Sequence, residues 1–433
     1  NFVSSQLHWQ QAYICYFTNP DRYEVHLCPL DCPMPGQYID KGDHTIGFRM
    51  SLPFVKRNIV PLRPCSGGLL QSKRGFEKRW PSEKDVAAWR KAGVTLMRCH
   101  NDGDSFANGI FWRDAAYPPY PPDEMKKMDD FLALCRKYQI AVVPYFSVKE
   151  FHPEAAGYTE NFEQWARRSL PDSPVMTNGT RHGVFGTQMC LASRWSEKRR
   201  ISIDETLAEH DFRGVYYDWC GGSECESRCH CSGRHWDNDE LQQHLEWSHT
   251  RVGEDGEIYL HLTNVPSFAA ENLATLVLTE EASFVNLNPE MFSPHVHFMN
   301  IAPRQICDML PENSTATDRR KLALATLLHH ATISSTHPDY LKFSEETAFL
   351  NSEAMNYFHH TAPGEGLVKT NVKQVGAALY WNDKEALLLA ANMLEQTVTV
   401  EWEISEKVTG CCAKKGTLTL DPLELHTEKI SIG

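Results

Sequence analysis

The sequence of 433 residues lacks the marks of several large classes of protein. No apolar run approaches the ~20 residues that cross a bilayer as a helix, and no secretory leader is visible. The Gly-x-Gly-x-x-Gly pattern and the Gly-rich phosphate loop, which a doubly wound nucleotide-binding sheet would need after an early strand, are both missing. Basic residues are in the minority, because 43 Lys and Arg face 56 Asp and Glu for a formal net charge of −13. Membranes and nucleic acids are therefore not expected as partners.

Internal repeats and low-complexity tracts are also missing, and the composition is that of an ordinary globular protein. Hydrophobic residues make up 42% of the chain and charged residues 23%. The 14 cysteines are scattered, and Cys99 and Cys135 lie in apolar contexts typical of reduced core thiols. This pattern favours the cytoplasm over secretion. Because the chain begins with Asn1 rather than Met, we expect that sequence upstream of it was removed.

Three regions differ in the spacing of their apolar residues. Residues 1–57 contain short aromatic or β-branched runs broken by Pro and Gly, which predict an N-terminal β segment, the tail of a truncated β-domain. Residues 58–350 alternate strand-like and helix-like segments in about eight units, the number and length of a (β/α)8 TIM barrel. In residues 364–433 the helical period is lost, and Val398–Ile404 alternate with period two. The predicted class is therefore α/β, a TIM barrel with a C-terminal antiparallel β-sandwich.

Local signals place the elements of the barrel region. Ser82 and Asp85 form a helix-start pattern, and Met125, Phe131 and Cys135 belong to one apolar stripe of a second helix. Further helices are predicted at 195–210, 239–251 and 318–328. The eight predicted strands are 58–62, 94–97, 140–145, 213–217, 257–262, 273–278, 297–301 and 331–334.

Charged and hydrogen-bonding side chains follow the predicted strands at their carboxyl ends, whereas the amino ends carry few. The carboxyl ends of barrel strands form the face on which active sites lie. Aromatic residues there can stack on sugar rings, and charged ones can orient hydroxyl groups. The candidate substrate-binding residues are Arg98, His100, Asp102, Tyr145, Lys149, Trp219, His261 and Asn264.

Carboxylates end two of these strands. Asp218 follows the fourth predicted strand, and Glu280 and Glu281 follow the sixth. Glycoside hydrolysis uses two carboxyl groups, one that attacks the anomeric carbon or activates water and one that protonates the leaving oxygen. Neighbouring residues of a strand point to opposite sides, so only one of the two glutamates is expected to face the cavity. Glu280 is slightly favoured, as the first residue past the apolar run.

Two motifs and the trailing sandwich resemble a known group of enzymes. Gly214-Val-Tyr-Tyr-Asp-Trp219, Leu276-Val-Leu-Thr-Glu-Glu281 and the terminal β region are similar to the retaining α-glycosidase barrels of the α-galactosidase and endo-α-N-acetylgalactosaminidase kind. In those families a strand-four Asp is the nucleophile and a strand-six carboxylate is the acid/base. The resemblance implies Asp218 as nucleophile, Glu280 or Glu281 as acid/base, a carbohydrate substrate and no cofactor required for catalysis. The Asp-rich strand-four signature of typical α-galactosidases is not reproduced.

A dense group of thiols and imidazoles follows Asp218. Cys225, Cys229, Cys231 and His235 are of the types that form a tetrahedral zinc site, although their spacing is not that of a common zinc finger. A disulfide and free thiols are the alternatives. Zinc would hold the loop beside Asp218 in a structural role, because a closed site keeps no open coordination position.

These observations favour a retaining α-type glycoside hydrolase. Two other functions stay open at this point. One is a non-catalytic barrel that binds carbohydrate or scaffolds a partner. The other is a metal-dependent hydrolase that uses the Cys/His loop.

Overall fold

The structure is a computed structural model, and it describes most of the chain from residue 80 onward. Before residue 80 it describes the backbone of four short strands. The described residues are 2–6, 12–19, 22–29, 66–70, 80–100, 122–153, 155–180, 183–218, 220–262, 268–271, 273–280, 304–308, 314–351, 356–359, 366–382, 384–410 and 412–431.

The elements are numbered here in chain order. The strands are β1 Phe2–Gln6, β2 Ala12–Asn19, β3 Arg22–Pro29, β4 Ser66–Leu70, β5 Leu96–His100, β6 Ala141–Ser147, β7 Glu150–Phe151, β8 Thr177–Thr180, β9 Gly183–Gln188, β10 Gly214–Asp218, β11 Glu224–Cys225, β12 His235–Trp236, β13 Glu257–His261, β14 Leu276–Glu280, β15 Arg304–Asp308, β16 Thr332–Ser334, β17 Asn356–His359, β18 Val368–Thr370, β19 Val375–Trp381, β20 Glu385–Asn392, β21 Val398–Ile404, β22 Lys414–Leu420 and β23 Leu425–Ser431. The helices are α1 Glu83–Lys91, α2 Pro122–Lys137, α3 Tyr158–Trp165, α4 Trp195–Glu209, α5 Asn238–Val252, α6 Phe268–Glu271, α7 Ala316–Leu328, α8 Pro338–Glu346 and α9 Glu406–Thr409, with a 3₁₀ turn at Ala348–Asn351.

Eight parallel strands form one sheet in the order β4-β5-β6-β10-β13-β14-β15-β16. The sheet curls so that β16 lies beside β4, and helices follow most of the strands. This arrangement confirms the predicted (β/α)8 barrel. At the amino end, β1, β2 and β3 pair antiparallel, which confirms the predicted N-terminal β segment.

The barrel interior is filled by alternate residues of its strands. Tyr145, Tyr216, Tyr259, Leu276 and Leu278 belong to one buried cluster inside the sheet. The residues between them pack outward against the helices, because successive side chains of a strand point to opposite faces. The central residues of β6, β10 and β13 are buried on both faces of the sheet, as expected for parallel strands covered by helices.

Helices α1 and α7 both begin with a capping box. Ser82 Oγ accepts the Asp85 N–H, and the Asp85 carboxylate accepts the Ser82 N–H at 2.8 Å, so α1 has the capping box that the sequence predicted. Thr315 and Asp318 form an equivalent box at α7. The predicted stripe of α2 is also confirmed in the core, where Phe131 and Cys135 are buried.

The positions of three barrel strands differ from the prediction. The first strand is Ser66–Leu70, a Gly-containing segment without the β-branched residues that mark a strand, while the predicted 58–62 lies outside the described residues. The sixth strand is shifted to Leu276–Glu280, so that Glu280 ends the strand instead of following it. The seventh is Arg304–Asp308, and the predicted 297–301 lies outside the described part of the chain.

The C-terminal region forms the predicted antiparallel sandwich. One sheet has the order β17-β19-β20-β23 and the other β18-β21-β22. Leu379 and Leu388 of the first sheet pack against Trp402 and Ile404 of the second. The opposite face of the first sheet, which includes Leu389, packs on α7 and α8 of the barrel.

In the described part of the chain, no helix combines the length and apolar character that a membrane span needs.

A buried ion pair joins the loops above β6 and β10. Lys149 Nζ lies 2.8 Å from Asp237 Oδ1, and both side chains are almost fully buried. Lys149 also donates to Gly221 O at 2.7 Å and to Ser223 Oγ at 3.1 Å. Asp237 accepts the Ser223 N–H at 2.6 Å and the Leu191 N–H at 3.3 Å. Lys149, which the sequence assigned to substrate binding, thus has a structural role, because its ammonium group is used to hold these loops together.

We expect this ion pair to be needed for the fold of the loops. Replacing one partner leaves a buried charge uncompensated, which costs about 3–5 kcal/mol. Lys149→Met or Asp237→Asn should therefore lower the resistance of the protein to urea, followed by tryptophan fluorescence. The double variant Lys149→Met/Asp237→Leu should recover part of the loss. Lys126→Ala, which removes an exposed partner of Asp130, is the control and should unfold as the wild type does.

Candidate active site

Asp218 ends the fourth barrel strand and is held by a residue of each neighbouring strand. Tyr145 Oη of β6 donates to Asp218 Oδ2 at 2.5 Å. His261 Nδ1 of β13 lies 3.1 Å from Asp218 Oδ1, an ion pair when the imidazole is protonated. About a quarter of the Asp218 side chain is exposed (25%), so the carboxylate is accessible at the carboxyl end of the barrel.

The register of three strands explains why these side chains meet. Tyr145 pairs with Tyr216, one interior position below Asp218, so its long phenol reaches up to the carboxylate. Leu260 pairs with Tyr217, which brings His261 level with Asp218. The Val148 N–H donates to Asp218 O at 3.0 Å and fixes the backbone at the same point. The site is therefore built on rigid strands.

The contacts around Asp218 favour its ionised form. A phenol that donates to a carboxylate, and an imidazole that can carry charge beside it, both stabilise the anion. The backbone and two neighbours also restrict the rotation of the side chain. A fixed and partly exposed carboxylate at this end of a barrel can act, in its ionised form, as a nucleophile or as a general base.

Arg98 of β5 is buried in the barrel interior below this carboxylate. Its guanidinium carbon lies 4.6 Å from the centre of the Tyr216 ring and 5.7 Å from that of Tyr259. Stacking of a cation on aromatic rings offsets part of the cost of its burial. Arg98, predicted to bind substrate, contributes positive charge to the interior beneath the site.

Cys220 lies next to the site but does not join the other cysteines. Its Sγ donates to His261 O at 3.0 Å. Burial, and then the charge of Asp218, raise the pKa of the Cys220 thiol. The side chain therefore stays a neutral thiol that helps to position β13.

For several predicted site residues the structure describes only the backbone, and others lie outside the described residues. Glu280 is the last residue of β14, next but one to β10 in the sheet, and the strand has a register shift between Leu278 and Glu280. His100 ends β5. The side chains of Glu280 and His100 lie outside the described set. Outside the described residues altogether are Asp102, Trp219, Asn264 and Glu281.

Only two of the four predicted zinc ligands belong to one spatial group. Cys225 and Cys231 lie together, but Cys229 is exposed, and His235 Nε2 lies 3.1 Å from Glu240 Oε2 instead. Two residues that were not predicted as metal ligands, Cys190 and His230, lie with Cys225 and Cys231 instead. The observed cluster consists of Cys190, Cys225, His230 and Cys231.

The cluster brings together two distant parts of the chain. Cys190 follows β9, and the other three residues belong to the loop after β10. The Cys190 thiol, and after it the His230 imidazole, lower the pKa of the Cys225 thiol well below its usual range. His230 stands inside the predicted motif, so the density of the motif could have found it. Cys190 has no such signal, since only the fold brings it close.

Comparisons with known proteins identify the fold of the chain. No family model and no curated protein matches the sequence. Among solved structures, the GH36 α-galactosidase AgaA from Geobacillus stearothermophilus matches with a TM-score of 0.58 and 9% identity over 85% of this chain and 55% of that one. The maltogenic α-amylase AmyB from Thermotoga neapolitana matches with a TM-score of 0.54 and 10% identity over 86% of this chain and 99% of that one.

A third match is Amy13B from Eubacterium rectale, with a TM-score of 0.55 and 10% identity over 86% of this chain and 96% of that one. At this identity the likeness concerns the fold. The chain thus shares its barrel architecture with α-amylases and an α-galactosidase, which confirms at the level of fold the resemblance to α-glycosidases that the sequence indicated.

Proposed function

We propose that the protein is a glycoside hydrolase of the retaining α type, with Asp218 as its nucleophile. The observation that carries the proposal is the carboxylate of Asp218, partly exposed at the carboxyl end of the fourth strand and held by Tyr145 and His261. The fold shared with α-amylases and an α-galactosidase supports the same class of reaction.

The proposed reaction is a double displacement. In the first step the Asp218 carboxylate attacks the anomeric carbon and forms a glycosyl ester, while an acid donates its proton to the leaving oxygen. In the second step the same acid, now a base, takes a proton from water, which attacks the anomeric carbon and releases Asp218. The sugar leaves with the anomeric configuration it had in the substrate.

Glu280 is our candidate for the acid/base, with Glu281 as the other choice. Glu280 ends β14, and in the sheet only β13 separates β14 from β10. A carboxyl group here and one on β10 would flank a sugar bound over the barrel mouth. A retaining mechanism needs the two carboxyl groups about 5–5.5 Å apart.

The substrate is proposed to be a carbohydrate bound at the carboxyl face of the barrel. One of the structural matches, the α-amylase from Geobacillus thermoleovorans, was solved with acarbose, and the α-galactosidase was solved with 1-deoxygalactonojirimycin. His261 and Tyr145 contact Asp218 directly, so we assign them to positioning the nucleophile. His100, Asp102, Trp219 and Asn264 stay our candidates for contacts with the sugar.

Replacing Asp218 should abolish turnover. We expect Asp218→Ala to lower kcat by several powers of ten on a panel of nitrophenyl α- and β-glycosides, because no other group would form the glycosyl ester. Azide should restore part of the rate in this variant, since a small anion fits the space of the carboxylate and attacks in its place. Asp255→Asn, at an exposed turn before β13, is the control and should keep the wild-type rate.

Near-normal turnover by Asp218→Ala would refute the assignment of the nucleophile. A wild-type protein that binds sugars but hydrolyses none of the panel would instead support the non-catalytic carbohydrate-binding barrel.

Removing the hydroxyl of Tyr145 should shift the dependence of the rate on pH. The phenol stabilises the ionised carboxylate, and a hydrogen bond to a charged group is worth about 1.5–3 kcal/mol. Without it, Asp218 takes up a proton more readily, so the acid limb of the kcat/KM profile of Tyr145→Phe should move to higher pH by about one unit.

Tyr138→Phe serves as the matched control for this variant. It also removes a phenol that donates to a carboxylate, that of Glu83 at 2.9 Å, but at the protein surface. Its profile should equal that of the wild type. An unchanged acid limb in Tyr145→Phe would contradict the proposed role of this contact.

A further inference from the structure

The loop after β10 contributes to a compact cluster of three thiols and one imidazole. The Sγ atoms of Cys190, Cys225 and Cys231 and a ring nitrogen of His230 all lie within 4.8 Å of one another. Cys190 and Cys225 are buried, whereas His230 and Cys231 are half-buried. Four ligand atoms are therefore close enough to share one ion, and the side of the cluster formed by His230 and Cys231 is the more exposed one.

The spacing of these atoms fits a tetrahedral ion. Zinc bonds of about 2.3 Å to sulfur and about 2.0–2.1 Å to nitrogen place the ligand atoms of a tetrahedron roughly 3.5–3.8 Å apart. Cys225 Sγ and His230 Nε2 are 3.4 Å apart, close to that edge length. Only small movements of side chains would be needed to close the coordination sphere.

The His230 ring is oriented as a metal-binding histidine would be. Its Nδ1 lies 2.8 Å from the carbonyl oxygen of Gln164, at the end of α3, so Nδ1 carries the hydrogen and donates to that oxygen. Nε2 is then the nitrogen with a lone pair, and it is the one that faces Cys225 Sγ. Histidine ligands of metals commonly donate their second ring N–H to a backbone carbonyl in this way.

We propose that Cys190, Cys225, His230 and Cys231 bind one Zn²⁺ ion. Three sulfurs and one imidazole are a ligand set that suits zinc and excludes magnesium and calcium, which take oxygen ligands. On binding, the three thiols lose their protons to solvent and His230 stays neutral. All four positions are filled by protein, so the ion is structural and does not activate water. This argues against the metal-dependent hydrolase that the sequence left open.

The ion would connect three parts of the chain. It ties the end of β9, at Cys190, to the loop that leaves Asp218, and α3 is anchored to the same point through Gln164 and through the Trp165 carbonyl, which accepts the Cys190 N–H at 3.0 Å. The Lys149–Asp237 pair holds the two ends of the same loop. One wall beside the carboxyl end of β10 is thus fixed by an ion pair and a metal.

The test is the metal content of the full-length protein and of two pairs of variants. Purified wild type should contain one zinc per chain by plasma mass spectrometry. Cys190→Ser and Cys231→Ser should lose it. Cys229→Ser and His235→Gln, which change residues near the cluster but outside it, should keep one zinc per chain. This pairing separates the cluster in the structure from the ligand set suggested by sequence spacing.

Two measurements on the wild type keep the test independent of whether a variant folds. Cobalt exchanged for zinc should give a thiolate-to-cobalt charge-transfer band and the visible spectrum of a tetrahedral site. A thiol reagent should react with fewer cysteines in the zinc-loaded protein than after chelation. Neither readout depends on glycosidase activity, so failure here is distinct from failure of the proposed function.

Three results would overturn the proposal. The first is a wild-type protein that holds no zinc and gives no tetrahedral cobalt spectrum. The second is a disulfide among Cys190, Cys225 and Cys231 in a peptide map made without reduction. The third is loss of zinc from Cys229→Ser or His235→Gln combined with its retention in Cys190→Ser.

Discussion

The register of three neighbouring parallel strands controls what the candidate site can do. β6, β10 and β13 are locked by backbone hydrogen bonds, and their side chains alternate between the interior and the helices. A slip of one residue in β10 would turn Asp218 away from Tyr145 and His261, since it would exchange the two faces of the strand. The apolar and aromatic residues below Asp218 prevent this slip, because it would also move Tyr216 out of the interior cluster. The packing of the core and the geometry of the site are thus specified by the same residues.

Much of this arrangement could be predicted from the sequence because it depends on local patterns. Gly214–Asp218 ends in a carboxylate after a short apolar run, and the start of α1 follows from the capping pattern of Ser82 and Asp85. The number of strand–helix units was enough to predict the barrel. The first strand was missed, because Ser66–Leu70 contains two glycines and lies beside a more β-like segment. Its place in the sheet is decided by pairing with β5, which no local pattern reveals.

The partners of charged residues were harder to predict, because they depend on long-range contacts. Lys149 was predicted to bind the substrate because it follows a strand. In the structure its ammonium group pairs with Asp237, 88 positions away in the chain. Cys229 and His235 were predicted to bind a metal because of their spacing, but Cys229 is exposed and the observed cluster contains Cys190 and His230 instead. Sequence spacing identified the loop and two of the four residues of the observed cluster, Cys225 and Cys231. His230 belongs to that same loop, whereas Cys190 follows β9 and reaches the cluster only through the fold.

Helix α7 sets how the barrel and the sandwich depend on each other. Seven consecutive residues, Leu322 to Leu328, are buried, so the C-terminal half of the helix is covered on all sides instead of having one solvated face. The cover on one side is the sheet that contains β19 and β20. A protein cut back to its barrel would therefore expose an apolar helix to water and tend to aggregate. The sandwich acts as a built-in partner of the barrel, and the minimal unit for expression or engineering includes both.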